Sequence, residues 1–295
     1  MSGVALFAGD ISLDATMGVT HVPAADEKVR MTSFAEATGG VVSNAAVAAR
    51  RAGQQATLLA TVGTDIASQA VPALLRGMGL ELDIEATEGM LCRAMIVVDG
   101  AGEKRLLLYP GVSMYPSRQA VEQIRLDRFA WLHTAIYEPD AARVLIERAR
   151  QARLPFSIDL EPVTFRESID ALAPHIAGAD VVFCNARAAD QLGAGVVDRL
   201  RRLGAKSVIL TLGPKGAVWH GDFGVHSVVP PSSLPIVDTT GAGDCLAGWI
   251  VAERLRGTAP DEALRLAVTA ASLSCGRLGA QASFPTRDDV AKMIG

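Results

Sequence analysis

The sequence predicts an α/β fold, a doubly wound and mainly parallel sheet flanked by helices, with a small β-sheet lid. Three observations carry that expectation. Short apolar runs alternate with amphipathic or alanine-rich stretches, the rhythm of strand–helix–strand units with right-handed crossovers. Residues 28–34 and 92–109 break the rhythm and read as antiparallel strands. The chain of 295 residues is 49% apolar and 20% charged, enough for one large core. We expect a single domain over residues 1–295, with lid segments at about 11–34 and 92–112.

The elements follow in order. Residues 4–8 read as a buried strand ending at Gly9-Asp10, and residues 43–52 as an alanine-rich helix stopped by Gly53. A strand at 56–62 precedes a helix at 67–78 closed by Gly79. Within the lid, CRAMIVVD, the turn Gly100-Ala101-Gly102 and EKRLLLY form a hairpin. Strands are expected at 131–134, 156–160, 181–184 and 207–212, and helices at 140–151 and 168–176. A short apolar strand around Ile236 leads into Asp-Thr-Thr, a glycine turn and a helix to about Leu255.

Composition excludes several classes. A net charge of −4 and 5% aromatic residues argue against a nucleic-acid surface, which needs a basic excess and stacking platforms. Cys92, Cys184, Cys245 and Cys275 form no CxxC pair, so a disulfide framework or structural zinc is not expected and a reducing cytoplasm suits the chain. No signal peptide and no apolar run long enough to span a membrane is read. No GxGxxG follows the first strand, which disfavours a dinucleotide-dependent dehydrogenase.

The chemistry concentrates in IVDTTGAGDCLAGW, residues 236–249. Gly241, Ala242 and Gly243 leave consecutive main-chain N–H groups uncovered just where a helix begins. Unsatisfied amides and the positive end of the helix dipole make an anion hole for a transferring phosphoryl group. Asp244 stands at its mouth, where a carboxylate takes a proton from an attacking hydroxyl. The other reading of the same residues is a glycine turn with Asp244 as a helix cap.

This segment resembles the D-T-x-G-A-G-D signature of the pfkB/ribokinase family of carbohydrate kinases, and the resemblance extends along nearly the whole chain. Gly39-Gly40-Val41-Val42-Ser43-Asn44 is similar to the family's diglycine signature, Gly9-Asp10-Ile11-Ser12-Leu13-Asp14 to its N-terminal strand, and Val62-Gly63-Thr64-Asp65 to its V-G-x-D turn. Residues 211–217, TLGPKGA, resemble its nucleotide loop, and residues 279–283, GAQAS, its tail. Two stretches, DVVFCNARAADQLG and VVPPSSLPIVDTTGAGD, look more like its ketohexokinase and sulfofructose kinase branches than like ribokinase.

The resemblance implies an ATP-dependent phosphotransferase that moves the γ-phosphate to a hydroxyl, a primary one, of a small sugar. Asp244 would be the base and Gly241, Ala242 and Gly243 the anion hole. Asp14, Gly39, Gly40 and Asn44 would bind the sugar, and Asn185, Thr211, Gly213, Lys215 and Gly216 the nucleotide. The cofactors implied are ATP and Mg²⁺, with K⁺ at Asp238, Thr240 and Ser283. A homodimer through the lid is implied as well.

Where the family carries N-x-x-E, this chain has Asn185 but Ala188 at the Glu position. Three readings stand: Mg²⁺ organised by the nucleotide, water and Asp244; charge supplied by Asp159 or Glu161; or low activity, which would make the protein a nucleotide or sugar sensor. A nucleoside kinase is the other alternative, disfavoured by the scarcity of Tyr and Trp. Val41 and Val42 predict a less polar sugar site on that side. His133 reads as a core histidine, and His21, His175, His220 and His226 as surface residues. A helix N-terminus would favour the Cys245 thiolate, but with no histidine partner apparent Cys245 reads as a packing residue. Arg93, Lys104 and Arg105 on the lid read either as ligand contacts or as edge-strand charges.

Overall fold

The structure, a computed structural model, describes residues 3–162, 168–232 and 234–294. Its first strands are β1 (Val4–Ala8), β2 (Ser12–Gly18), β3 (Ser33–Gly39), β4 (Ala56–Val62), β5 (Glu81–Ala86), β6 (Cys92–Val98) and β7 (Lys104–Tyr109). Then come β8 (Phe129–Ala135), β9 (Phe156–Leu160), β10 (Val181–Asn185), β11 (Ser207–Thr211), β12 (Ala217–Gly221) and β13 (Gly224–Val228). The first helices are α1 (Val41–Arg51), α2 (Ile66–Gly77), α3 (Arg118–Gln123), α4 (Pro139–Gln151) and α5 (Ala173–Ile176). The last are α6 (Ala186–Leu192), α7 (Val196–Arg202), α8 (Ala242–Arg256), α9 (Pro260–Ser274) and α10 (Arg287–Ile294).

A nine-stranded sheet runs β13-β12-β11-β10-β9-β8-β1-β4-β5, and a second sheet runs β3-β2-β6-β7. The large sheet is parallel except at β12 and β13. Side chains alternate across it. Ala5 and Phe7 of β1 join the core under α1, α2, α8, α9 and α10, while Leu6 and Ala8 join the core under α3 to α7. The order of travel reverses between β1 and β8, so a crevice opens at their carboxyl ends, where ligands of open α/β sheets bind. No helix among the described residues is long and apolar enough to cross a membrane.

Three sequence expectations need correction. The lid strand expected at 28–34 lies at Ser33–Gly39, because the register with β2 runs from Gly18↔Ser33 to Ser12↔Gly39. The lid sheet thus continues past residue 34 to the diglycine. No strand leads directly into Asp238 among the described residues: Ile236 and Val237 are 71% and 54% exposed, in a stretch whose Pro230, Pro231 and Pro235 cannot donate to a ladder. The helix expected at 168–176 divides into a 3₁₀ turn at Ile169–Leu172 and the single turn of α5.

Candidate active site

Two helices bring the central side chains together. α1 is buried from Val42 to Ala49, and α8 is buried on every side from Cys245 to Glu253. They pack with almost no separation at Gly248, where an added β-carbon would lie 2.2 Å from the Ala45 carbonyl oxygen. One turn before Gly248 stands Asp244, and one residue before Ala45 stands Asn44. Asn44 Nδ2 donates to Asp244 Oδ2 at 2.8 Å.

Asp10, at the end of β1, holds the start of α1. Its two carboxylate oxygens accept from the Val41 and Val42 N–H groups, both at 2.9 Å. The chain reaches this position through Gly40, at φ +105°, where a β-carbon would meet the Asp10 carbonyl at 2.7 Å. Only glycine fits there. Burial pushes the Asp10 carboxyl up to about 6, against the two amide bonds that lower it.

The α8 N-terminus departs in one respect from the anion hole expected at Gly241, Ala242 and Gly243, because the Ala242 N–H is already bonded. Gly241, at φ +76°, is its N-cap, with no side-chain cap. The Ala242 N–H returns to the Thr239 carbonyl and the Cys245 N–H to that of Gly241, at 3.3 and 2.8 Å. The N–H groups of Gly243 and Asp244 have no such partner among the described residues. Above Gly243 a β-carbon would meet nothing within 4 Å, so this end of the helix opens onto free space. Shielding from water drives the Asp244 carboxyl well above the ordinary range. Asn44 opposes that rise, and the charges of Glu161, Asp10 and Asp14 add to it.

Across the cleft, Asp14 on β2 accepts from Ser12 Oγ at 2.5 Å, and its carboxyl lies where a β-carbon on Gly39 would be. Asp14, Gly39, Gly40 and Asn44 therefore gather on one side of Asp244. Of the two valines expected to line this side, Val42 is fully buried against Gly9, and only Val41 is partly exposed.

On the other side, Asn185 and Thr211 are register partners at the carboxyl edge of β10 and β11. The 3₁₀ turn Gly213–Lys215 and Gly216 follow directly, with Lys215 exposed. Asn185 Oδ1 caps α6 at the Ala188 N–H (2.8 Å), and its Nδ2 donates to Glu161 at 3.4 Å. The Ala188 methyl is fully buried among hydrocarbon, and Asp190 is exposed. Glu161 and the buried Asp159 both have raised carboxyls, through loss of hydration first and then neighbouring charge, that of Glu161 on Asp159 and that of Asp10 on Glu161.

Of the residues expected around K⁺, Asp238 and Thr240 bond to each other. Ser283 Oγ donates to the Ala280 carbonyl. Asp238 Oδ1 accepts from Thr240 Oγ1 (2.6 Å) and from the Lys104 ammonium of the lid (2.5 Å), which also reaches Thr240 Oγ1 at 2.9 Å. Asp238 Oδ2 accepts from the Gly279 N–H at 3.0 Å. Loss of hydration would raise the Asp238 carboxyl, but these bonds, Lys104 foremost, hold it at about 2.

The two lid arginines pair with carboxylates. Arg93 donates to Asp65, the cap of α2, at 2.7 Å, and Arg105 to Asp99 in the hairpin at 2.8 Å. His133 is buried between Phe7 and Phe183, and burial lowers it to about 3. His175 is buried rather than superficial and donates to the Pro139 carbonyl. Burial raises the Cys245 thiol, and the neighbouring Asp244 charge raises it further. Sequence reasoning missed three groups here: Asp10 as the cap of α1, Lys104 as the partner of Asp238, and Gln281, which bonds to Asn44. Each contact joins distant segments, so spacing along the chain carries no sign of it.

Solved structures of the same shape include the ribokinase of Giardia lamblia, with a TM-score of 0.88 and 23% identity over 99% of both chains. The ribokinase of Thermotoga maritima gives 0.86 and 22%, covering 100% of this chain and 99% of its own. In sequence, an ATP-dependent ribose-1-phosphate kinase of Halopiger xanaduensis is 30% identical over 298 residues, 98% of this chain and 97% of its own. The Haemophilus influenzae ribokinase is 25% identical, over 97% and 96%. The fold is ribokinase-like and the protein a carbohydrate kinase. The chain belongs to the pfkB family of carbohydrate kinases, whose family model matches residues 7–287.

Proposed function

We propose that this kinase transfers the γ-phosphate of ATP to a hydroxyl, a primary one, of a small sugar, with Asp244 as the base. The observation that carries this reading is the meeting of Asp244 with Asn44 at a helix N-terminus whose Gly243 and Asp244 amides are unspent. The acceptor lies beside Asp14, Gly39, Gly40 and Asn44. Its hydroxyl gives a proton to Asp244, its oxygen bonds to the γ-phosphorus, and the bond to the β–γ bridging oxygen breaks to release ADP. The negative charge that gathers on the migrating phosphoryl oxygens is met by the free amides of Gly243 and Asp244. A carboxylate made more basic by its surroundings takes that proton more readily.

The nucleotide lies along Asn185, Thr211, Gly213, Lys215 and Gly216. Buried Ala188 excludes its position from holding a cation, whereas Glu161 and Asp159 offer the hard oxygen donors that Mg²⁺ prefers. Bound Mg²⁺ neutralises phosphate charge. K⁺ enters this reading as an activator beside Asp238 and Thr240, in competition with Lys104. Two copies pair through the lid, whose Phe34, Met95, Leu106, Leu107 and Tyr109 are 45–63% exposed.

The test is ADP release across ribose, ribose 1-phosphate, ketohexoses and nucleosides, with wild type and Asp244→Asn. Turnover should be greatest with a small sugar rather than a nucleoside and fall by about 10²–10⁴ in the variant, with ATP affinity retained. Preference for a nucleoside would overturn the acceptor class, and equal turnover of both proteins would overturn the base.

A further inference from the structure

Gln281, in the turn between α9 and α10, is 2% exposed and surrounded by polar partners. Its Nε2 donates to Asn44 Oδ1 at 2.9 Å and, more distantly, to Ser43 Oγ at 3.5 Å. Its Oε1 accepts from the hydroxyl of Thr38, on lid strand β3. Asn44 then donates to Asp244.

The polarity of this chain of bonds is set from one end. An Asn or Gln amide has nearly the same shape either way round, so only its neighbours decide which end donates. The Gly39 carbonyl is a fixed acceptor, and Ser43 Oγ gives it its proton at 2.5 Å. Towards Gln281, Ser43 therefore presents lone pairs, and Gln281 must turn its NH₂ that way. The same NH₂ meets Asn44, so Asn44 must offer Oδ1 to Gln281 and Nδ2 to Asp244. With Asn44 reversed, a carbonyl oxygen would face a carboxylate.

We propose that Gln281 is a positioning residue for the phosphoryl-transfer site: it locks the Asn44 amide with Nδ2, not Oδ1, against Asp244. The proposal rests on the reading of Asp244 as the base. A relay of this kind keeps an N–H on the base without touching substrate. The other groups facing Asp244 are Asp10, Asp14, Asp159, Glu161 and the Tyr137 phenol, whereas the bonds of Gln281 run to Thr38, Ser43 and Asn44. Losing the N–H favours the protonated carboxyl, so the proton affinity of Asp244 should rise.

The experiment compares Gln281→Leu and Gln281→Glu in the full chain. Its readouts are kcat and KM against pH and a carboxyl ¹³C titration of Asp244, assigned by the resonance lost in Asp244→Asn. Both substitutions should lower kcat with little change in KM for ATP, and raise the proton affinity of Asp244 about tenfold or more. The effect should be larger for Gln281→Glu, because a carboxylate accepts on both sides and draws the Asn44 NH₂ to itself. In an Asn44→Ala background neither change should shift Asp244 further. Ser43→Ala, a smaller change, should reproduce the effect in part if either variant folds poorly. An unmoved Asp244 titration in folded Gln281→Leu, Gln281→Glu and Ser43→Ala, or an equal shift without Asn44, overturns the proposal. Full turnover by Asp244→Asn would instead overturn the base, with the carboxyl titration still reporting on Gln281.

Discussion

Gly248 of α8 and Ala45 of α1 are so close that a β-carbon on the glycine would sit 2.2 Å from the Ala45 carbonyl oxygen. Backbone and the Ala48 and Ala49 neighbours leave no room to give way. This crossing sets the separation of Asn44 and Asp244. Gly248→Ala should cost about 1–3 kcal/mol in denaturant unfolding, with a loss of turnover that exceeds the unfolded fraction. A variant as stable and active as wild type would show that the helices yield freely.

Gly243 makes the opposite prediction. Its β-carbon would enter open space, so Gly243→Ala should fold normally and gain up to about 0.5–1 kcal/mol of helix stability. Its methyl would stand where the phosphoryl group is proposed to pass, and turnover should fall about tenfold or more. Unfolding curves and ADP release together decide it. Full activity would place the phosphate elsewhere.

Lys104 bonds to Asp238 and Thr240 from the lid. In Lys104→Met the carboxylate loses its ammonium partner, and turnover should come to depend on K⁺ or NH₄⁺ more strongly than in wild type. Stability should change by less than about 1 kcal/mol, since the pair is partly exposed. Identical K⁺ titrations of the two proteins would count against competition at this position.

Asp10 links stability to pH. Its carboxyl is at about 6 in the fold against 3.8 ordinarily, so between these values the native state binds more protons than the unfolded chain. Stability therefore falls as pH rises through this window and gains from Asp10 protonation as pH drops. Urea unfolding from pH 4 to pH 7 should show a shallower fall in Asp10→Asn, whose overall stability is lower because one of the two α1 amide bonds is lost. Equal slopes would assign the dependence to other carboxyls.

Much of this architecture was legible in the residues. The buried strands at 4–8, 56–62 and 156–160 stand as expected, because continuous apolar runs bounded by glycine or charge leave little choice. The lid strand at 33–39 is expected several residues early. Its small and polar residues have no strong alternation, and pairing with β2 decides where it lies. At the site, glycines and carboxylates announce themselves by type and order. Their partners do not: Asp10 with Val41, Lys104 with Asp238 and Gln281 with Asn44 are pairings that only the tertiary fold creates.

Thr38 and Gln281 touch although 243 positions separate them. A chain interrupted just before Gln281 would keep every strand of both sheets and the helices through α9. It would lack the amide that orients Asn44, and so would combine a nearly whole scaffold with an unfinished centre.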